Sequence, residues 1–370
     1  MRKRPLLLLA LLALALAAGY SAYWWQAARA VRLAVEDWAE SQRARGGRVE
    51  HAGLSVRGFP LALVARATAP EVRLPEGPEW RGPEIVARAA PWDPTRVALE
   101  LPGVHRLSIP AAGARPALEL VASGGGTGAV EFRLGRGPSS ARLALEGVAF
   151  GPVGREAGRV LAERAALRVS LPPADGPVAA AMAAATTSPA ASPSAPPAAP
   201  PAAAEQPASL SLALSAEALL LPEGAATPLG REVARAGIEA RVLGPLPAGT
   251  EPEALAAWSR AGGALALDRL DLDWGPLRAV ADGRVALDAA LVPTGALDAE
   301  ILGANPTIDA LAAAGAMRPR DATLAKVAVN FLARNKTPDG EPIVEAPVVL
   351  RDGWAHLGPV RLAPLPRLGP

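Results

Sequence analysis

The apolar residues of this chain change period once. From residue 49 onward they recur at every second position: Leu61, Leu63, Ala65; Val97, Leu99, Leu101; Val130, Phe132, Leu134; Leu143, Leu145; Leu167, Val169, Leu171. That alternation predicts strands with one face buried and the other in water. Turn signals separate them at Pro75–Pro78, at Gly124–Gly128 and at Arg136–Ser139. These intervals suit hairpins and meanders, which need no crossover helices, so the sheet is expected to be antiparallel. The pattern resumes after residue 208 with Leu210, Leu212, Leu214; Ile238, Ala240, Val242; Leu265, Leu267; Leu270, Leu272, Trp274; Val285, Leu287; Val348, Leu350; Val360, Leu362. Helical intervals interrupt it at Thr250–Arg260, Thr307–Met317 and Asp321–Asn335, the last with Leu324, Val327 and Phe331 on one face.

Ahead of the alternation, Arg2, Lys3 and Arg4 precede the uncharged run Leu6 to Trp25. As a helix its twenty residues would span ~30 Å, about the hydrocarbon thickness of a bilayer. Tyr20, Tyr23, Trp24 and Trp25 crowd its far end, where amphipathic rings favour the membrane–water boundary, and the basic cluster sets the orientation N-terminus in. A cleaved signal peptide competes with this anchor, with Leu6 to Ala18 of h-region length and Ala15-Leu16-Ala17 as a small-x-small site. Residues 1–25 are therefore expected to be a transmembrane anchor or signal. The body is expected in the periplasm, held at the inner membrane by a single pass or soluble after cleavage. Residues 26–47 read as a helical stalk with Val31, Val35 and Trp38 at helical spacing, ended by Gly46-Gly47.

Residues 48–171 then form a first β half and residues 209–370 a second one with helices. Between them, residues 172–208 are almost entirely Ala, Pro, Ser and Thr, with Asp175 and Glu205 their only charges. Such a segment cannot bury a core and is expected to be a disordered linker. Leu74-Pro-Glu-Gly77 with Val86-Ala-Arg-Ala89 is echoed at the same spacing by Leu221-Pro-Glu-Gly224 with Val233-Ala-Arg-Ala236. This suits two related halves, and chance in an Ala- and Arg-heavy chain explains it as well. The expected fold is mainly β: an N-terminal transmembrane helix, then a curved antiparallel sheet of many short strands with a few covering helices.

Composition removes function classes rather than adding them. The 370 residues are half apolar and hold 36 glycines and 39 prolines, which disfavours a helical bundle. Without cysteine there is no disulfide, thiolate zinc site or cysteine nucleophile. Charges nearly cancel, 38 basic against 36 acidic, with no basic block for nucleic acid. His51, His105 and His356 stand far apart, outside any ligand motif, so no metal or cofactor is expected. Ser123-Gly-Gly-Gly-Thr-Gly128 leads into a strand pattern and lacks a following Lys-Ser/Thr, so it reads as a hairpin turn rather than a phosphate loop. Asp271 and Asp273 share a strand face, with Asp268 and Asp282 nearby; they read as a solvent face, with acid/base or Ca²⁺ chemistry as the sharper alternative. No catalytic residue is assigned.

Arg45-Gly-Gly-Arg-Val-Glu-His-Ala-Gly-Leu-Ser-Val-Arg-Gly-Phe-Pro-Leu61, then Trp80, then Ala90-Pro-Trp-Asp-Pro-Thr-Arg-Val97, resemble the start of a bacterial envelope family catalogued as domain of unknown function 2125. Leu350-Arg-Asp-Gly-Trp-Ala-His-Leu-Gly-Pro-Val-Arg-Leu362, closing in Pro364-Leu-Pro366, resembles its C-terminal signature. The resemblance implies a membrane-anchored Gram-negative envelope protein with no established activity and no catalytic residues to transfer; the Ala/Pro linker departs from it. Read physically, Gly58 permits unusual backbone geometry, Pro60 fixes φ and Phe59 is a large apolar anchor beside Leu61. Gly58, Phe59, Pro60 and Leu61 are thus a docking patch or a structural strand entry. A sheet lined by Leu, Val and Ala must be covered or left open to something apolar. A non-catalytic binder of lipid or another apolar ligand is the leading expectation, ahead of a scaffold for another envelope protein and a hydrolase using Asp271 and Asp273.

Overall fold

Leucine and alanine dominate the first thirty residues, and both favour helix over strand. In the computed structural model they open one unbroken helix, α1 (Lys3–Ala44), which runs through the boundary expected between anchor and stalk. It ends where Gly46 adopts a left-handed φ of 90° and the Gly46 and Gly47 amides return to the Arg43 and Gln42 carbonyls. The structure describes residues 3–75, 77–111, 116–133, 137–172, 208–225, 227–246, 252–336, 342–357 and 360–367. The expected linker beyond Pro172, Thr250, Glu76 and Arg136 lie outside the described residues. Among the described residues no helix is long and apolar enough to cross a membrane.

The chain divides into two compact units, Met1–Arg164 and Ala165–Pro370, and every described strand pairing is antiparallel. The first unit contains β1 (Arg48–Glu50), β2 (Gly53–Arg57), β3 (Leu63–Thr68), β4 (Glu71–Arg73), β5 (Glu79–Arg81), β6 (Glu84–Ala90), β7 (Asp93–Leu101), β8 (His105–Ile109), β9 (Leu118–Ala122), β10 (Gly126–Arg133) and β11 (Gly137–Pro152). One ladder runs β2-β3-β6-β7-β10-β11 and a second runs β1-β4-β5-β8-β9-β11. Each strand of the first ladder continues into a strand of the second across a short break, so the unit is a meander of long, interrupted strands. The breaks line up from strand to strand, with positive φ at Ala69, Gly103 and Gly125, and Gly147 inside the unbroken β11 continues the line with φ 59°.

That alignment corrects the reading of Ser123–Gly128. It is not a hairpin turn but a bulge inside one long strand: β9 and β10 both pair with β11, and Ser123 and Gly124 donate to the Gly147 and Glu146 carbonyls across it. Strands are also longer than expected, reaching sixteen residues in β11. Leu61 lies in a turn rather than at a strand start.

β12 (Val160–Ser170) precedes the single ladder of the second unit. That ladder contains β13 (Ala208–Leu220), β14 (Glu232–Leu243), β15 (Ala264–Trp274), β16 (Leu277–Leu287), β17 (Pro293–Leu302), β18 (Ala333–Lys336), β19 (Pro342–Arg351), β20 (Trp354–Leu357) and β21 (Val360–Pro364). Neighbours follow chain order from β13 to β17, then β19, β20 and β21, with β18 also on β19. Helix α2 (Pro252–Arg260) joins β14 to β15, and α3 (Ala304–Ala313) and α4 (Pro319–Leu332) join β17 to β18. The last helix stops short of the expected Asn335, because Ala333–Lys336 pairs with β19 instead. The face that carries Leu324, Val327 and Phe331 is outward: Leu324 and Val327 are exposed and Phe331 is 88% exposed, while Val329 packs on Ala304, Val344 and Ala346. The sequence echo falls on a turn followed by a strand in both units, and its valines, Val86 and Val233, are both buried.

Candidate functional site

Cross-strand partners share a face, so the register assigns each side of the first ladder. One face carries the rows Leu63-Ala89-Val97-Val130-Ala141 and Val56-Ala65-Ala87-Leu99-Gly128-Leu143. The opposite face carries Arg57-Val64-Arg88-Ala98-Ala129-Arg142 and Ser55-Arg66-Val86-Glu100-Thr127-Ala144. On the polar side Val86 is buried where Arg66 meets Glu84 at 2.7 Å and Arg88 meets Glu100 at 3.1 Å. Exposed pairs of this kind add little stability by themselves, and the long stems shield the apolar residue.

Among the described residues, α1 is the helix that covers the apolar face, and it does so at one edge. Trp24 and Ala28 of α1 are buried with Val56 and Leu63, and Ala27, Val31 and Ala65 pack against them. The buried stripe of the helix is Trp24, Ala28, Ala39 and Gln42, with Val31 and Val35 half-buried; the expected Trp38 is exposed. Away from that edge, Ala87, Ala89, Val97, Leu99, Val130 and Leu143 remain half-buried.

The Gly58–Leu61 segment lies where α1 meets the sheet. Gly58 has φ 108°, and a Cβ there would stand 2.7 Å from the Ala62 carbonyl oxygen, so the tight turn requires glycine. Tyr20 donates its hydroxyl to the Pro60 carbonyl at 2.5 Å, Tyr23 to the Pro91 carbonyl at 2.6 Å, and the Trp24 indole to the Ala62 carbonyl at 3.0 Å. Phe59 sits edge-on to Trp24, ring centroids 5.6 Å apart, and 6.4 Å from Tyr20. These contacts bind the helix to two loops of the sheet, a partnership that separations of about forty to seventy residues hide from sequence reading.

The second unit repeats the two-faced design. Its apolar rows include Leu212-Ala240-Leu267-Gly283-Leu297-Val348 and Leu214-Ile238-Leu270-Ala281-Ala299-Ala346. The helices α3 and α4 contribute Ala304 and Val329 to the cover over Ile301, Val344 and Ala346, while Leu212, Leu214 and Leu270 stay exposed.

The candidate carboxylates belong to the polar face. Asp268 takes a bidentate contact from Arg241 at 2.6–2.9 Å, Asp271 faces Arg269 at 3.4 Å and Asp273 faces Arg278 at 3.7 Å. Asp282 stands opposite Asp298 instead of joining them. Among the described residues no group of three or more His, Asp or Glu could hold a metal ion. His51 is exposed, while His105 and His356 are buried on separate strands.

His105 stacks on Trp80 with centroids 5.5 Å apart, and its Nε2 lies 3.2 Å from the Pro102 carbonyl, which places the proton of the neutral ring on Nε2. Burial pushes its pKa below the ordinary 6.5, against smaller opposing effects of the Pro102 and Leu101 carbonyls. The unfolded chain therefore takes up a proton that the folded chain resists. Stability is full above about pH 6.5 and falls as pH drops towards the lowered folded value. Denaturant titrations from pH 7.5 to about 5.5 are expected to show this loss, with a shallower slope in His105→Gln.

The fold and site define a mainly β protein with a long N-terminal helix clamped on one edge of an apolar sheet face. The model of the family described as "Uncharacterized protein conserved in bacteria (DUF2125)" matches residues 24–366, and the chain belongs to that family. No curated protein and no solved structure matches it.

Proposed function

We propose that the protein is a membrane-anchored, non-catalytic component of the bacterial periplasm that binds a lipid or another apolar ligand on its apolar sheet face. The observation that carries this reading is the half-buried face of β6, β7, β10 and β11, where Ala87, Ala89, Gly128 and Ala141 leave room beside Val97, Leu99, Val130 and Leu143. A continuous face of this kind, with a helix over one edge only, suits an apolar occupant. Anchoring is supported by the uncharged run Leu6 to Trp25 behind three basic residues, and by Leu11, Leu12, Leu14 and Leu16, which are exposed around the helix. The scaffold alternative takes Phe59 as its contact; packing of that ring on Trp24 of the same chain favours the ligand reading.

The test is lipid mass spectrometry on the full chain purified in non-ionic detergent. Phospholipid is expected to co-purify above a mock preparation and to fall several-fold in Leu99→Arg and in Val130→Asn, with thermal unfolding checking that each variant stays folded. No lipid above control in the native chain would overturn the reading.

A further inference from the structure

The loops held by α1 expose the large apolar side chains that flank the clamp. Phe59 is 52% exposed, Leu61 70%, Trp92 68% and, on the helix, Trp25 66%. The loop at residues 58–62 joins β2 to β3 and the loop at residues 90–93 joins β6 to β7, so both tips lie at one end of the first ladder. They cannot drift from the helix, because Tyr20, Tyr23 and Trp24 hold the carbonyls of Pro60, Pro91 and Ala62.

We infer that these tips form a foot that sits in the headgroup–acyl boundary of the bilayer and fixes this end of the apolar sheet face at the lipid surface. The inference rests on the anchoring reading above. Two observations select a bilayer over a folded partner. First, Leu16, Leu14, Leu12 and Leu11 of the same helix are exposed as well, and at their spacing they point to different sides of it. A protein partner covers one side of a helix; a bilayer covers all of them. Second, Leu61 borders a depression of about 350 Å³ lined by Ala98 and Ala129, by Arg88, Arg96 and Arg142 and by one carboxylate, Glu131, with Arg88 also pairing with Glu100 and Arg96 with Asp93. Apolar tips beside cationic side chains fit the boundary between acyl chains and anionic headgroups. Seated in this way, the rows that begin at Leu63 and Val97 would start at the membrane, and an acyl chain could pass onto them without crossing water.

The chain has no cysteine, so single labels can be placed cleanly. Leu12→Cys, Leu61→Cys, Trp92→Cys and Ala111→Cys, each carrying an environment-sensitive fluorophore, are reconstituted as full chains in equimolar phosphatidylcholine/phosphatidylglycerol vesicles. Ala111 follows β8 at the far end of the second ladder, up to ~46 Å from Val97 along the interrupted strand. Nitroxide lipids labelled near the headgroup are expected to quench positions 61 and 92 several-fold more than position 111. Acyl-chain nitroxides are expected to quench position 12. Quenching at 12 with 61 and 92 no different from 111 overturns the foot and leaves the anchor. No quenching at any position overturns the anchor and the foot with it.

Discussion

Trp24→Ala is expected to destabilise the first unit by about 3–5 kcal/mol, the usual cost of truncating a buried tryptophan. Trp24 is 4% exposed, packs with Ala28, Val56 and Leu63, receives the edge of Phe59 and satisfies the Ala62 carbonyl. Truncation removes the packing, opens a cavity and leaves that carbonyl without its indole donor. Chemical unfolding of the full chain in detergent measures the loss. Trp25→Ala is the internal control: its side chain is on the surface, so the same truncation one residue along is expected to cost less than about 1 kcal/mol. Equal losses at the two positions would mean that the clamp does not hold the helix.

Gly125→Val is expected to cost about 3 kcal/mol or more and to disturb the register between β10 and β11. Gly125 sits in the bulge line with φ 79°, and a Cβ there would collide with the Leu101 carbonyl oxygen. The left-handed strain alone is about 1–2 kcal/mol, and a branched side chain adds the collision. Gly154→Ala separates the two contributions, since Gly154 has φ 75° and nothing within 4 Å of a built Cβ. It should lose only the strain. Unfolding titrations give the energies, and amide hydrogen exchange along β10 reports the register.

Much of the fold is legible in the sequence because alternation is local. Val97, Leu99 and Leu101 lie on one face of a strand wherever that strand goes, and the register places them where the pattern expects. Glycine-rich Ser123–Gly128 misleads because a bulge and a hairpin turn need the same residues; whether the chain reverses is decided by what lies opposite, here Glu146 and Gly147. Helix faces are less legible. Trp38 and Ala39 are neighbours on α1, and the small one faces inward while the large one is exposed. On α4 the stripe Leu324, Val327 and Phe331 is outside, because Ala322 and Val329 are the residues turned in. Of the candidate site, the Gly58–Leu61 motif is visible in the sequence as a tight apolar turn, but its contacts are not.

The sequence by itself determined the features that near neighbours along the chain control: strand faces from the period of two, the helical start of the chain, the glycines that permit tight geometry, and the lack of thiol chemistry. The tertiary structure decided which apolar residues stay half-open and which are covered. That outcome depends on α1 lying against β1, β2 and β3, and on α3 and α4 covering part of β17 and β19. It also gave three members of the aromatic run, Tyr20, Tyr23 and Trp24, their partners on Pro60, Pro91 and Ala62, because hydrogen bonds across forty to seventy residues form only once the sheet exists.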